Sequence, residues 1–100
     1  MKVYLDNAAT TPIAKEVITE INPYLLDFFG NPSSTHSFGR KTKNAIEITR
    51  KKIADLINAE NSEIIFTSGG TEADNMALRS SVNDLGVKRI ITTKIEHHAV

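Results

Sequence analysis

The stretch with the most chemical content is Phe66-Thr67-Ser68-Gly69-Gly70-Thr71-Glu72-Ala73-Asp74-Asn75. A short apolar run meets a glycine pair, and a helical pattern follows. The first N–H groups of a helix have no intrahelical acceptor, and the macrodipole places partial positive charge there. Glycines lack Cβ atoms, so an anion can approach the backbone, and Thr71 adds a hydroxyl. A phosphate monoester fits such a place. A second reading needs no ligand: Thr71 with Asp74 three residues on is a capping box, and Glu72 would repel a phosphate. The Gly-Lys-Ser/Thr ending of a Walker loop and the G-x-G-x-x-G spacing of dinucleotide-binding turns are both missing. His97 and His98 close the last apolar run. Adjacent residues of an extended segment point to opposite faces, so the pair is poorly placed to chelate one ion. No metal site is expected.

The elements that must carry these residues are legible from periodicity. Val3-Tyr4-Leu5 leads into Asp6-Asn7-Ala8-Ala9-Thr10-Thr11-Pro12, where Thr11 can N-cap a helix that has Pro12 in its first position. Ile13, Val17, Ile18 and Ile21 give that helix an apolar face, and Pro23 should kink or end it. Gly30-Asn31-Pro32-Ser33-Ser34 is a turn signal. A second helix is expected from about Phe38 to Asn58, with Ala45, Ile46, Ile48, Ile53, Leu56 and Ile57 on a broad apolar face. Its basic residues are interspersed with Glu47 and Asp55, the pattern of a solvated face rather than a nucleic-acid patch. Residues 63–67 and 88–93 read as short strands flanking a helix from Thr71 to about Leu85, with Gly86 supplying a positive φ after its end. Strand, glycine loop, helix, strand is a βαβ-type string and points to an α/β fold.

Bulk properties narrow the classes. The 100 residues fit one domain at most, and 12 basic residues balance 12 acidic ones. Zero net charge offers no global attraction to nucleic acid or to an anionic membrane. There is no cysteine, which excludes disulfides and thiolate metal sites. No leader-like apolar stretch and no bilayer-length run occurs, so a cytoplasmic location is expected. The chain stops at His98-Ala99-Val100 directly after a strand-like run, which suggests truncation.

Four motifs occur in order: Tyr4 to Pro12, Gly30 to Ser34 with His36, Phe66 to Asn75, and Glu96-His97-His98-Ala99-Val100. Together they resemble the NifS-type cysteine desulfurases, class V of the aminotransferase superfamily, with pyridoxal 5'-phosphate (PLP) fold type I. The Ser68-Gly69-Gly70-Thr71-Glu72 loop resembles the NifS-like group more than the selenocysteine-lyase-like one. The resemblance implies that Gly70 and Thr71 hold the cofactor phosphate through backbone N–H groups and the threonine hydroxyl. It implies that His97 is a catalytic residue that stacks on the pyridine ring and assists proton transfers. Asn7, Ala8, Thr10, Asn31 and His36 would lie near the active-site mouth or a dimer interface.

The same resemblance implies an incomplete, mainly parallel sheet in the order helix-helix-strand-helix-strand. Residues 1–12 would form an extended segment on the small-domain side, and 13–100 the start of the PLP-binding large domain. In this family L-cysteine becomes alanine and its sulfur passes to an enzyme cysteine as a persulfide, supplying iron–sulfur clusters or thio-cofactors. The family's Schiff-base lysine, the aspartate facing the pyridine nitrogen and the sulfur-accepting cysteine all come later than residue 100. The chain alone is therefore expected to be inactive, its strands without neighbours, its apolar faces open and prone to self-association. A homodimer and a sulfur-acceptor or scaffold protein are the implied partners. The competing readings are a non-catalytic interaction module and another class V aminotransferase.

Overall fold

The computed structural model describes residues 1–100. It contains three α-helices, α1 (Lys15–Leu26), α2 (Ser37–Ile57) and α3 (Gly70–Asn83), and a 3₁₀ turn at Asn61–Glu63. The chain divides into two compact units, Met1–Asn61 and Ser62–Val100.

In the first unit, α1 starts later than Thr11 and Pro12 suggest. Ala14 occupies the cap position in extended conformation, with no side-chain cap bond. A hydroxyl cap stabilises by about 1 kcal/mol, while each further ordered residue costs roughly that much or more. Ile13 stays exposed, so no packing offsets the cost. Pro23 does not end the helix; it stands near the end, and its carbonyl accepts from Asp27 N (2.8 Å) and Phe28 N (2.9 Å).

Helix α2 matches its periodicity almost to the residue. It buries Gly39 and Ala54, with Ala45, Ile46 and Ile53 half-buried. The segment between α1 and α2 folds onto the start of α2. Thr42 Oγ1 donates to the Phe28 carbonyl (3.2 Å), and the Lys41 ammonium sits 3.5 Å above the Phe28 ring. A Cβ on Gly39 would collide with the carbonyls of Asn31 and Ser34, so only glycine permits this approach. Asn58 ends the helix in the left-handed region at φ 55°. The basic face is solvated as its spacing suggests: Arg50 pairs with Glu47 and Lys51 with Asp55, each at 3.2 Å.

In the second unit, no strand forms at 63–67 or 88–93: Glu63 closes the 3₁₀ turn, and 64–67 and 88–93 carry no regular structure. The expected helix-helix-strand-helix-strand order is thus helix-helix-helix here. Apolar β-branched runs become strands only when a neighbour supplies the ladder, and neither run is joined to one. Helix α3 does form, starting one residue before the expected Thr71. Past its end Gly86 takes φ +67° as expected, and Val87 N donates to Ser81 O (2.9 Å).

Among apolar residues only Ala54 and Ala99 are buried, while Leu56 and Ile91 are 84% and 88% exposed. Open apolar surface on this scale is what the sequence pattern anticipates when partner elements are missing. No helix is long and apolar enough to cross a membrane.

Candidate functional site

The loop before α3 is held by its own side chains. Gly69 is the cap residue and makes no side-chain cap bond; Thr71 and Asp74 do not form the expected capping box. The reciprocal half of such a box forms instead, one register earlier. The Glu72 carboxylate accepts from Ser68 N (2.6 Å) and Ser68 Oγ (2.8 Å), and Thr67 Oγ1 donates to Gly69 O (3.2 Å). Glycine at the cap has no oxygen to offer, so the acidic side chain of the first turn reaches back to the loop. The two Ser68 hydrogen bonds hold the Glu72 carboxyl below its ordinary value of 4.5.

Gly70 and Thr71 are the first two residues of α3, and both are exposed. Helical geometry gives their N–H groups no acceptor within the helix. A Cβ built on Gly69 or Gly70 meets nothing within 4 Å, so the approach to these amides is open. With the Glu72 carboxylate engaged by Ser68, the residues present fit the phosphate of PLP. Gly70 and Thr71 would hold it by backbone N–H groups and the Thr71 hydroxyl.

His97 lies in a turn at the far end of the same unit. Its carbonyl accepts from Val100 N (3.0 Å), and its Nδ1 accepts from Ala99 N (3.2 Å). The extended geometry expected of this segment is therefore replaced by a turn, and the His97 and His98 rings lie 5.6 Å apart between centroids. A turn brings successive side chains to one side, where a strand would separate them. No group of three or more His, Cys, Asp or Glu side chains capable of holding a metal ion is gathered.

The link between Thr71 and His97 is Asn75. Its Nδ2 donates to Thr71 O and to Ala99 O, each at 2.9 Å, so the two carbonyl oxygens lie within twice that distance of each other. The motif reading gave Asn75 no role of its own. The available signal was its residue type, since a helix interior disfavours asparagine unless its amide is used.

The other singled-out residues belong to the first unit. Asn7, Ala8 and Thr10 stand in an exposed turn where Ala9 N and Thr10 N donate to Asp6 O (3.1 and 3.4 Å). Asn31 Oδ1 accepts from Ser33 N (2.8 Å), and His36 Nδ1 accepts from Gly39 N (3.4 Å), capping α2. Histidine as an N-cap escaped the sequence reading because the usual capping residues are Ser, Thr, Asp and Asn.

A glycine-opened helix start and a histidine-bearing turn are thus joined, through Asn75, within one compact unit. The description "Aminotransferase class-V" matches residues 3–100 of this chain. The chain belongs to the class V aminotransferase family. It is 57% identical to a cysteine desulfurase IscS from Dictyoglomus turgidum, over 99% of this chain and 26% of that protein. It is 54% identical to a cysteine desulfurase IscS from Methanosarcina thermophila, over 98% of this chain and 25% of that protein. The solved structure of a NifS-like protein superposes with a TM-score of 0.87 at 38% identity, covering 99% of this chain and 28% of that one. The chain spans about a quarter of the length of the curated relatives it matches. The fold is thus that of a part of a NifS-like class V enzyme.

Proposed function

We propose that this chain is the N-terminal part of a PLP-dependent cysteine desulfurase. The observation that carries the reading is the open Gly69-Gly70-Thr71 helix start, tied through Asn75 to the turn that bears His97. Gly70 and Thr71 would hold the cofactor phosphate, and His97 would stack on the cofactor ring and assist proton transfers. When bound, PLP supplies the electron sink that lets the carbon–sulfur bond of L-cysteine break. Alanine is the product, and the sulfur goes to an enzyme cysteine as a persulfide. That cysteine is not in these 100 residues.

Residues 1–12 belong to the small-domain side and 13–100 to the large domain. The runs 63–67 and 88–93 become strands of a mainly parallel sheet when later strands flank them. By the family resemblance, Asn7, Ala8, Thr10, Asn31 and His36 would lie near the active-site mouth or the homodimer interface of the whole enzyme. The whole enzyme is cytoplasmic and passes sulfur to an acceptor or scaffold protein for iron–sulfur cluster or thio-cofactor assembly. High identity to named desulfurases supports this over an aminotransferase acting on another substrate.

The test is turnover of L-cysteine. The full-length enzyme should release alanine in step with transferred sulfur. Residues 1–100 with PLP should release no more sulfide than PLP in buffer. Absence of alanine production by the full-length enzyme would overturn the desulfurase reading, and sulfide release by residues 1–100 would overturn their inactivity.

A further inference from the structure

An asparagine inside a helix is disfavoured against alanine, so its presence calls for a use of its amide. Asn75 is half-buried and uses both amide hydrogens. One goes to Thr71 O in its own helix, and the other to Ala99 O, 24 residues away in sequence. Ala99 is itself buried, 9% exposed, and its N–H donates to His97 Nδ1. Ala99 is thus gripped at its carbonyl oxygen by α3 while its own N–H donates to the imidazole. Because Nδ1 accepts, the ring hydrogen sits on Nε2.

We infer that Asn75 is a positioning residue: it holds the His97 ring and its tautomer in register with the Gly70–Thr71 turn, acting through Ala99. The inference rests on the cofactor reading of Gly70, Thr71 and His97. Its logic is that of other outer hydrogen bonds that orient a ring whose far nitrogen does the work. No other residue of similar volume replaces it. Aspartate has no hydrogen to donate, and serine has one where two are used.

The experiment uses the full-length holoenzyme with Asn75→Asp, Asn75→Ser, His97→Ala and the Asn75→Asp/His97→Ala double variant. The readouts are visible circular dichroism of bound PLP, PLP content after dialysis, and kcat and KM for L-cysteine. Asn75→Asp should alter the cofactor's dichroism in the direction of His97→Ala and lower kcat about 10-fold, with KM and PLP content little changed. Asn75→Ser should fall between Asn75→Asp and the parent. The double variant should be no slower than His97→Ala alone, because a residue acting only through His97 has nothing further to lose. Parental dichroism and kcat in Asn75→Asp, or losses that add in the double variant, would overturn the inference. Should His97→Ala itself leave the dichroism unchanged, the stacking role of His97 is what fails, and the role of Asn75 falls with it. Loss of PLP content in Asn75→Asp would place the residue with the phosphate turn and overturn a role through His97.

Discussion

The carboxylate of Glu72 holds both the N–H and the hydroxyl of Ser68, at 2.6 and 2.8 Å, from one turn along the chain. An acidic residue that looks hostile to an anion is thereby turned back on the loop that precedes the helix. The loop shape depends on Glu72 being ionised, since a protonated carboxyl accepts these bonds more weakly.

The pH dependence follows from the depressed carboxyl. Its contribution is fully present above the ordinary value of 4.5 and is lost as pH falls through the lower, folded value. Amide hydrogen exchange at Ser68 should therefore be slow at neutral pH and gain relative to its neighbours only below 4.5. Glu72→Gln should speed Ser68 exchange severalfold at neutral pH while leaving exchange in α2 unchanged.

Two glycines should respond oppositely to alanine. At Gly39 the new Cβ meets the Asn31 and Ser34 carbonyls, both backbone atoms that cannot swing aside. Overpacking of this kind costs about 1–3 kcal/mol, more than the roughly 1 kcal/mol gained from helix propensity. Gly39→Ala should lower the urea midpoint. At Gly70 the Cβ enters open space, so Gly70→Ala should be neutral or raise stability by up to about 1 kcal/mol.

Thr71→Val preserves shape and removes a hydroxyl. If that hydroxyl serves the phosphate, full-length Thr71→Val should lose one charge-assisted hydrogen bond, about 1.5 kcal/mol or ~10-fold in the Kd for PLP. Cofactor content after dialysis measures it, and thermal unfolding of the apoenzyme should not move.

Asn58 adopts φ 55°, a conformation that costs most side chains about 1–2 kcal/mol and asparagine less. Asn58→Gly should raise stability by a few tenths of a kcal/mol up to about 1 kcal/mol, and Asn58→Ala should lower it, both read from urea midpoints.

Helix α2 was legible in residue spacing because a helix closes its hydrogen bonds within itself. Its apolar period, its basic face with Glu47 and Asp55, and the positive φ of Gly86 are all local properties. So is the glycine-opened start of α3, since N-terminal amides lack acceptors whatever surrounds them. What residue order could not settle is whatever depends on a distant partner. The runs 63–67 and 88–93 have strand composition, yet a strand exists only beside another, so their state was decided by what stands next to them. The α1 start moved past Thr11 for want of packing on Ile13, and the cap of α3 moved from Thr71 to Gly69, with Glu72 reaching back to Ser68, because a loop conformation, not a motif, set which donor lay within reach. The pairing of Asn75 with Ala99 belongs to the same class. Spacing along the chain determined which groups were available, and only the folded path brought a helix amide to a carbonyl 24 residues away, because hydrogen bonds form across space and not along sequence.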